Sequence, residues 1–167
     1  MPQIAIHPAT DTKDIASVRR LMLEYGHFLS NSPSGAASIC LSGYEQELAR
    51  LPVGYDALLL AEVDGQPAGC VALHEITVAN PTGPELACEM KRLWVGPSFR
   101  GLGLGRRLIE ESLSWATRHD YPAIYLDTVP SAMPEANRLY ASLGFHPVER
   151  YNRNPVAGVE FFRRPLP

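Results

Sequence analysis

The sequence predicts one α/β domain with a mixed, mostly antiparallel sheet of six or seven strands and helices on both faces. Three observations lead there. Apolar runs over residues 57–63, 67–76 and 86–95 are divided by turn signals at Asp64-Gly65 and residues 80–84, which string antiparallel hairpins together. A stretch with helical periodicity then separates residues 86–95 from a further apolar run at 123–128, the arrangement of a parallel crossover. Finally, 167 residues can bury a full core, whereas half that length would sit near the lower limit for a self-sufficient domain, so residues 1–167 are expected to form a single unit.

Taken in order, Ile4 and Ile6 alternate with polar or small neighbours and open the sheet. Asp11 or Thr12 caps a helix carrying Ile15, Val18, Leu21, Met22, Tyr25 and Leu29 at helical spacing. Residues 30–38, rich in Ser, Gly, Ala and Pro, read as a mobile loop able to form a lid, and Ser42 starts a short helix through Glu45, Leu48 and Leu51. Three strands follow at 57–63, 67–76 and 86–95. The glycine-rich segment 100–105 leads into a helix over about 106–117, with Leu108, Ile109, Leu113, Trp115 and Ala116 at its apolar positions. Residues 123–128 form a buried strand and 134–143 a helix stopped by Gly144, where a left-handed residue is easily accommodated. Residues 145–151 and 159–162 close the sheet as two strands around Asn152-Arg153-Asn154-Pro155.

Composition excludes several functions. Lys and Arg total 15 against 18 Asp and Glu, a net charge of -3, so no summed positive field holds a nucleic-acid backbone. With 46% hydrophobic residues the 15 prolines punctuate a globular chain and do not make it disordered. The first residues lack the basic start and apolar core of a signal peptide, and no apolar run is long enough to span a bilayer, so a cytosolic protein without membrane contact is expected. Cys40, Cys70 and Cys88 are odd in number and in no CxxC arrangement, and the five histidines are scattered singly. No metal is expected.

Arg100-Gly101-Leu102-Gly103-Leu104-Gly105 lies between a strand and a helix, where the first amides of the helix have no intrahelical acceptor and suit an anion. Glycine permits close backbone approach to phosphate oxygens, and Arg100 adds a charged donor. The lysine of a triphosphate-binding loop is missing, because Arg106-Arg107 follow Gly105. A dinucleotide fingerprint fails on spacing, because Arg106 or Leu108 stands where its third glycine belongs.

Arg100-x-x-Gly103-x-Gly105, following Glu89-Met90-Lys91-Arg92-Leu93-Trp94-Val95, resembles motif A of the GNAT superfamily of acyl-CoA-dependent N-acetyltransferases, R/Q-x-x-G-x-G/A. Downstream, the segment from Ala136 through Leu139-Tyr140 to Gly144-Phe145 resembles motif B, A-x-x-L-Y-x-x-x-G-F, at the expected distance after one strand. One position departs from the pattern: Met133 stands where many members carry asparagine three residues before the motif-B alanine. The resemblance implies a GNAT-like domain in which the strands at 86–95 and 123–128 splay apart to admit acetyl-CoA. Leu93, Trp94 and Val95 would supply backbone contacts to the pantetheine arm, and Gly101, Leu102, Gly103, Leu104, Gly105 and Arg106 would bind phosphate with Arg100 beside them.

The implied reaction is attack of a primary amine on a thioester, which needs a route for an amine proton, an N–H donor for the developing oxyanion and an acid for the departing thiolate. Glu89 lies where several family members carry a glutamate acting as general base, and a carboxylate in a central strand asks for a reason in any case. The alternative for it is an ion pair with Lys91 or Arg92; Asp127 and Glu75 are the other candidate bases. Tyr140 matches the tyrosine that family members use to protonate the coenzyme A thiolate; its alternative is to fill a helix–sheet contact. Asn137, about one turn earlier, could bond the pantetheine arm in place of the asparagine missing at Met133; its alternative is an exposed helix residue. A backbone N–H near Leu93 is the expected oxyanion donor, and Arg106, Arg107 and Arg138 rank second for the phosphates.

Lys91 and Arg92 are consecutive charges in a strand buried on both faces, so at least one must leave the core, through a bulge, and line the cleft. That suits a carboxylate-bearing acceptor; the alternative is a surface ion pair with a neighbouring glutamate. Tyr25, His27, Phe28, Tyr44, Tyr151 and Phe161 could line the acceptor pocket. A small-molecule amine is the expected acceptor; a peptide amine, or a non-catalytic acyl-CoA-binding module on the same fold, are the alternatives. The oligomeric state is left open, a homodimer included.

Overall fold

Period-two alternation sorts the side chains of β2 (Ala57–Val63) and β3 (Gln66–Val78) between two cores. Leu59, Ala61, Val71 and Leu73 face one side, where they meet Leu108, Ile109, Trp115 and Ala116 of α3 (Leu104–Arg118). Leu58, Leu60, Cys70 and Ala72 face the other and meet Val18, Leu21 and Met22 of α1 (Thr12–Ser30) together with Tyr44 and Leu48 of α2 (Tyr44–Ala49). Leu108 and Ile109 are wholly buried, each contributing roughly 2 kcal/mol of transfer free energy. Helices therefore cover both faces, as the element order predicts.

The computed structural model describes residues 1–31 and 43–167. Most of the loop expected over 30–38, with Cys40 and Ser42, lies outside the described residues. Among those described, seven strands form one sheet in the order β1-β2-β3-β4-β5-β7-β6, with β1 at Ile4–Pro8, β4 at Glu85–Val95, β5 at Ala123–Thr128, β6 at His146–Val148 and β7 at Glu160–Pro165. All neighbours are antiparallel except β4 and β5. The last helix, α4, spans Pro134–Ser142. Asp11 caps α1, its carboxylate accepting from the Asp14 amide at 2.8 Å. Cys70 and Cys88 are buried free thiols.

Among the strands, β6 and β7 differ most from expectation. β6 is shorter than 145–151, because Pro147 has no amide to donate and Arg150 turns its guanidinium back onto the Asn154 carbonyl at 2.6 Å, starting the loop early. β7 is longer than 159–162, because it lies between two strands and pairs with β5 along all six of its residues.

Gly69 marks a close approach in the sheet: a Cβ there would stand 2.9 Å from the Trp94 carbonyl oxygen and 3.2 Å from Leu108 Cδ1. Backbone cannot retreat as a flexible side chain does. Gly69→Ala is expected to destabilise the fold by about 2 kcal/mol, roughly 6 °C in Tm, checked by thermal unfolding; an unchanged Tm would mean that β3 and β4 part at no cost.

Candidate active site

The parallel ladder between β4 and β5 holds only Cys88 opposite Ile124 and Glu89 opposite Tyr125; beyond these the two strands continue without pairing. Their divergence opens two adjoining cavities. The larger, about 640 Å³, is lined by residues that include His74, Glu89, Lys91, Arg92, Asp127, Tyr140, Tyr151 and Asn152. The smaller, about 440 Å³, runs along Leu93, Trp94 and Val95 to the glycine loop.

A bulge sets what β4 shows to the cleft. The ladder to β3 pairs Ala72 with Lys91 and Cys70 with Trp94, so Arg92 and Leu93 together oppose Val71, and Arg92 adopts a left-handed φ of 61°. The alternation is thereby reset: Met90 and Leu93 share the α3-side core, while Trp94 joins the α1-side core. Lys91 and Arg92 both line the larger cavity, as their adjacency in the sequence suggests. Arg92 is held there by a forked bond to Glu47 of α2, 2.9 Å from Nη2 and 3.2 Å from Nε, with its guanidinium over the Tyr44 ring.

Glu89 is 4% exposed. Its Oε1 lies 2.7 Å from His74 Nε2 and 3.8 Å from the Lys91 ammonium; its Oε2 accepts from Tyr151 O–H at 2.5 Å and faces Asn152 Nδ2 at 3.5 Å. Burial pushes its pKa up, but the His74 bond, the Lys91 charge and the Tyr151 bond outweigh it and hold the carboxyl below its ordinary range. Asn152 also donates to Asp127 Oδ2 at 2.6 Å, linking the two acids that line the cavity. Burial, then the neighbouring Glu89, push the Tyr151 phenol far up, so it remains a donor.

Tyr140 of α4 lines the same cavity, packed against Phe145 with ring centroids 5.7 Å apart. Its hydroxyl has no hydrogen-bond partner among the described residues, and burial raises its pKa. Glu75 belongs elsewhere: it accepts from Tyr121 O–H at 2.9 Å in a separate groove. Of the six expected aromatic liners, Tyr25 and Tyr151 reach the larger cavity and Phe28 the smaller. Tyr44 and Phe161 are core, and His27 lines neither.

At the glycine loop, Gly101 and Gly103 take φ values of 84° and 77°, and Gly103 caps α3. The Arg107 amide makes the first helical bond, to Gly103, so the amides before it have no intrahelical acceptor. Gly101, Gly103, Leu104, Gly105 and Arg106 line the smaller cavity, whereas Leu102 is exposed outside it. Arg100 stands over the Trp94 and Phe28 rings at 5.0 and 5.9 Å. Asn137 lines neither cavity: its amide nitrogen donates to Thr128 Oγ1 and to the Met133 carbonyl, and Oδ1 is buried without a partner among the described residues. Arg106 turns to Ser142 at 3.1 Å, and neither Arg107 nor Arg138 lines the cleft.

The residues that composition and spacing did not single out are His74, Asn152 and Glu47. A further cluster, His7, Asp14 and Glu62, gathers ligand-type atoms within 4.8 Å, but lines neither cavity. No helix among the described residues is long and apolar enough to cross a membrane.

A sheet parted between two parallel strands, with a glycine-capped helix at the opening, places the protein among α/β folds that receive a ligand at the carboxyl ends of diverging strands. Residues 26–145 match the model of the acetyltransferase (GNAT) family, and the chain belongs to that family. An uncharacterized N-acetyltransferase of Schizosaccharomyces pombe is 40% identical over 106 residues, 64% of this chain and 61% of that protein. Human N-acetylaspartate synthetase is 34% identical over 86 residues, 52% of this chain and 26% of that protein. The chain thus spans less than two thirds of either relative. Among solved structures, an acetyltransferase from Salmonella typhimurium with its cofactor acetyl-CoA shares the fold at TM-score 0.67 and 21% identity, over 98% of this chain and 94% of that one.

Proposed function

We propose that residues 1–167 act as one cytosolic N-acetyltransferase domain that moves the acetyl group of acetyl-CoA to a primary amine of a small, carboxylate-bearing molecule by direct attack in a ternary complex. The observation that carries this reading is the continuity of the two cavities: Leu93, Ala132 and Met133 line both. A ligand spanning them meets unpaired helix amides at one end and Glu89 with Tyr140 at the other. Bound acetyl-CoA would supply the acyl group as a thioester.

The chain's own groups divide the work. The amides of Gly101 and of residues 103–106, with Arg100, hold phosphate, and the backbone of Leu93, Trp94 and Val95, unpaired on the β5 side, binds the pantetheine arm. The Leu93 amide, inside the bulge, is the oxyanion donor. Asn137 braces Met133, at the junction of the cavities, through its carbonyl. Glu89 and the groups bonded to it remove the amine proton, and Tyr140 gives a proton to the leaving sulfur.

Charge supports a carboxylate on the acceptor. Arg92 is neutralised by Glu47, but Lys91 has only its 3.8 Å contact with Glu89, and Arg153, also lining the cavity, has no ion pair among the described residues. The name of the human relative, a synthetase of N-acetylaspartate, agrees with an acceptor of this kind. The test is thiol release from acetyl-CoA with a panel of the twenty amino acids and neutral and polycationic amines. Turnover is expected, with amino acids ahead of polyamines. Tight coenzyme A binding without thiol release on any amine would instead mark an acyl-CoA-binding module.

A further inference from the structure

We propose that His74 is the group that takes the proton from the acceptor amine, and that Glu89 is the buried anion that sets the imidazole's tautomer and stabilises its charged form. The proposal rests on the acetyl-transfer reading and names the atom, His74 Nδ1, at which its first proton transfer occurs.

The hydrogen-bond pattern dictates the tautomer. Apart from His74, every group on the Glu89 carboxylate is a donor: Tyr151 O–H, Asn152 Nδ2 and the Lys91 ammonium. A carboxylate ringed by donors is an ionised acceptor, so His74 Nε2, 2.7 Å from Oε1, must donate as well. In a neutral ring that leaves Nδ1 with a free lone pair, and Nδ1 has no hydrogen-bond partner among the described residues.

Access separates the two candidates. Glu89 is 4% exposed with both oxygens engaged, whereas the His74 side chain is 27% exposed and lines the cavity. A general base must come within hydrogen-bond reach of the proton it removes, and the imidazole is the more open of the pair. A buried carboxylate bonded to one ring nitrogen while the other does the chemistry is the arrangement that orients a hydrolytic triad's histidine. The Tyr55 ring, edge-on at 5.8 Å and 88°, packs against the imidazole. The charged and titratable groups around it are Glu89 and Lys91 on β4, Tyr151 and, through Asn152, Asp127 on β5, and Tyr55, which donates to Glu47.

The step balances. The amine arrives as an ammonium; its N–H bond breaks toward Nδ1, giving an imidazolium opposite Glu89. The nitrogen lone pair then forms the C–N bond while the C–S bond breaks with its electrons on sulfur. Sulfur takes the Tyr140 proton, the nitrogen's second proton replaces it, and the imidazolium returns its proton to water.

His74→Gln tests this, because a glutamine amide still donates to Glu89 but has no titratable nitrogen. With the best amine of the panel, kcat/KM near neutral pH should fall about 100-fold, and its acidic limb should move upward to the range where the amine itself loses its proton, with coenzyme A affinity unchanged. Added imidazole should restore part of the rate of His74→Ala. Independently of turnover, nitrogen NMR of the substrate-free full chain should show the His74 proton on Nε2 and a bare Nδ1 at pH 8. Near wild-type turnover of His74→Gln with its acidic limb intact would make Glu89 the direct base, and a neutral ring protonated on Nδ1 would also overturn the proposal. A wild type that binds coenzyme A but turns over no amine rejects the acetyl-transfer reading itself, and this proposal with it.

Discussion

Gly103→Glu is expected to abolish coenzyme A binding while leaving the protein folded. Gly103 is the N-cap of α3 with φ 77°, a conformation that costs an ordinary residue about 1–2 kcal/mol. A Cβ at this position meets nothing within 4 Å, so the new side chain has room and the core is untouched. Part of the strain is offset, because a carboxylate at a helix N-terminus is favourable. That same placement destroys the site: the carboxylate occupies the amides that the phosphate needs and repels the phosphate by charge. We expect a loss of at least about 10³-fold in affinity, on the order of 4 kcal/mol, by calorimetric titration with coenzyme A. Gly103→Ala carries the strain without the charge and should lose only about tenfold. If Gly103→Glu binds coenzyme A as the wild type does, the loop does not hold the phosphates.

The loop shows how much of this site can be read along the chain. Anion-binding amides, the strand before them and the helix after them are contiguous, so their spacing reports their geometry directly. Adjacent charges likewise point to a bulge or to ion pairs: Lys91-Arg92 interrupt a strand buried on both faces, β4 shifts register there, and each charge also meets a glutamate. The partner of Arg92 was hidden, because Glu47 lies on a separate helix whose packing is set by the α1-side core and not by any local pattern.

His74 illustrates a narrower limit. A turn centred on residue 82 places Glu75 opposite Glu89, whereas the ladder pairs His74 with Glu89 and Glu75 with Cys88. One position of register exchanges the two faces of a strand, so an acid expected near the cleft goes to another groove and an imidazole takes its place. Turn signals locate a hairpin to within a residue or two, and side-chain chemistry across the ladder is finer than that. Asn152 escaped for a related reason, since it stands on a loop with no period to orient it.

Tyr140→Phe is expected to reduce kcat by roughly 10³-fold with little change in coenzyme A affinity or stability. The ring contributes its packing against Phe145 in either variant, and the hydroxyl has no hydrogen-bond partner among the described residues whose loss would unsettle the fold. What disappears is the proton. Burial disfavours the phenolate and raises the Tyr140 pKa, so the phenol is protonated throughout the physiological range. The same desolvation raises the basicity of a thiolate formed beside it, which brings the transfer closer to balance than values in water suggest. Since the folded-state pKa lies above the working range, removing the hydroxyl should lower the pH–rate profile at every pH without moving its alkaline limb. His74→Gln should instead displace the acidic limb upward, to the range where the free amine forms in solution, so the two profiles assign the two proton transfers separately. Wild-type turnover in Tyr140→Phe would take the acid role away from Tyr140 and leave the thiolate to depart unprotonated into the cleft.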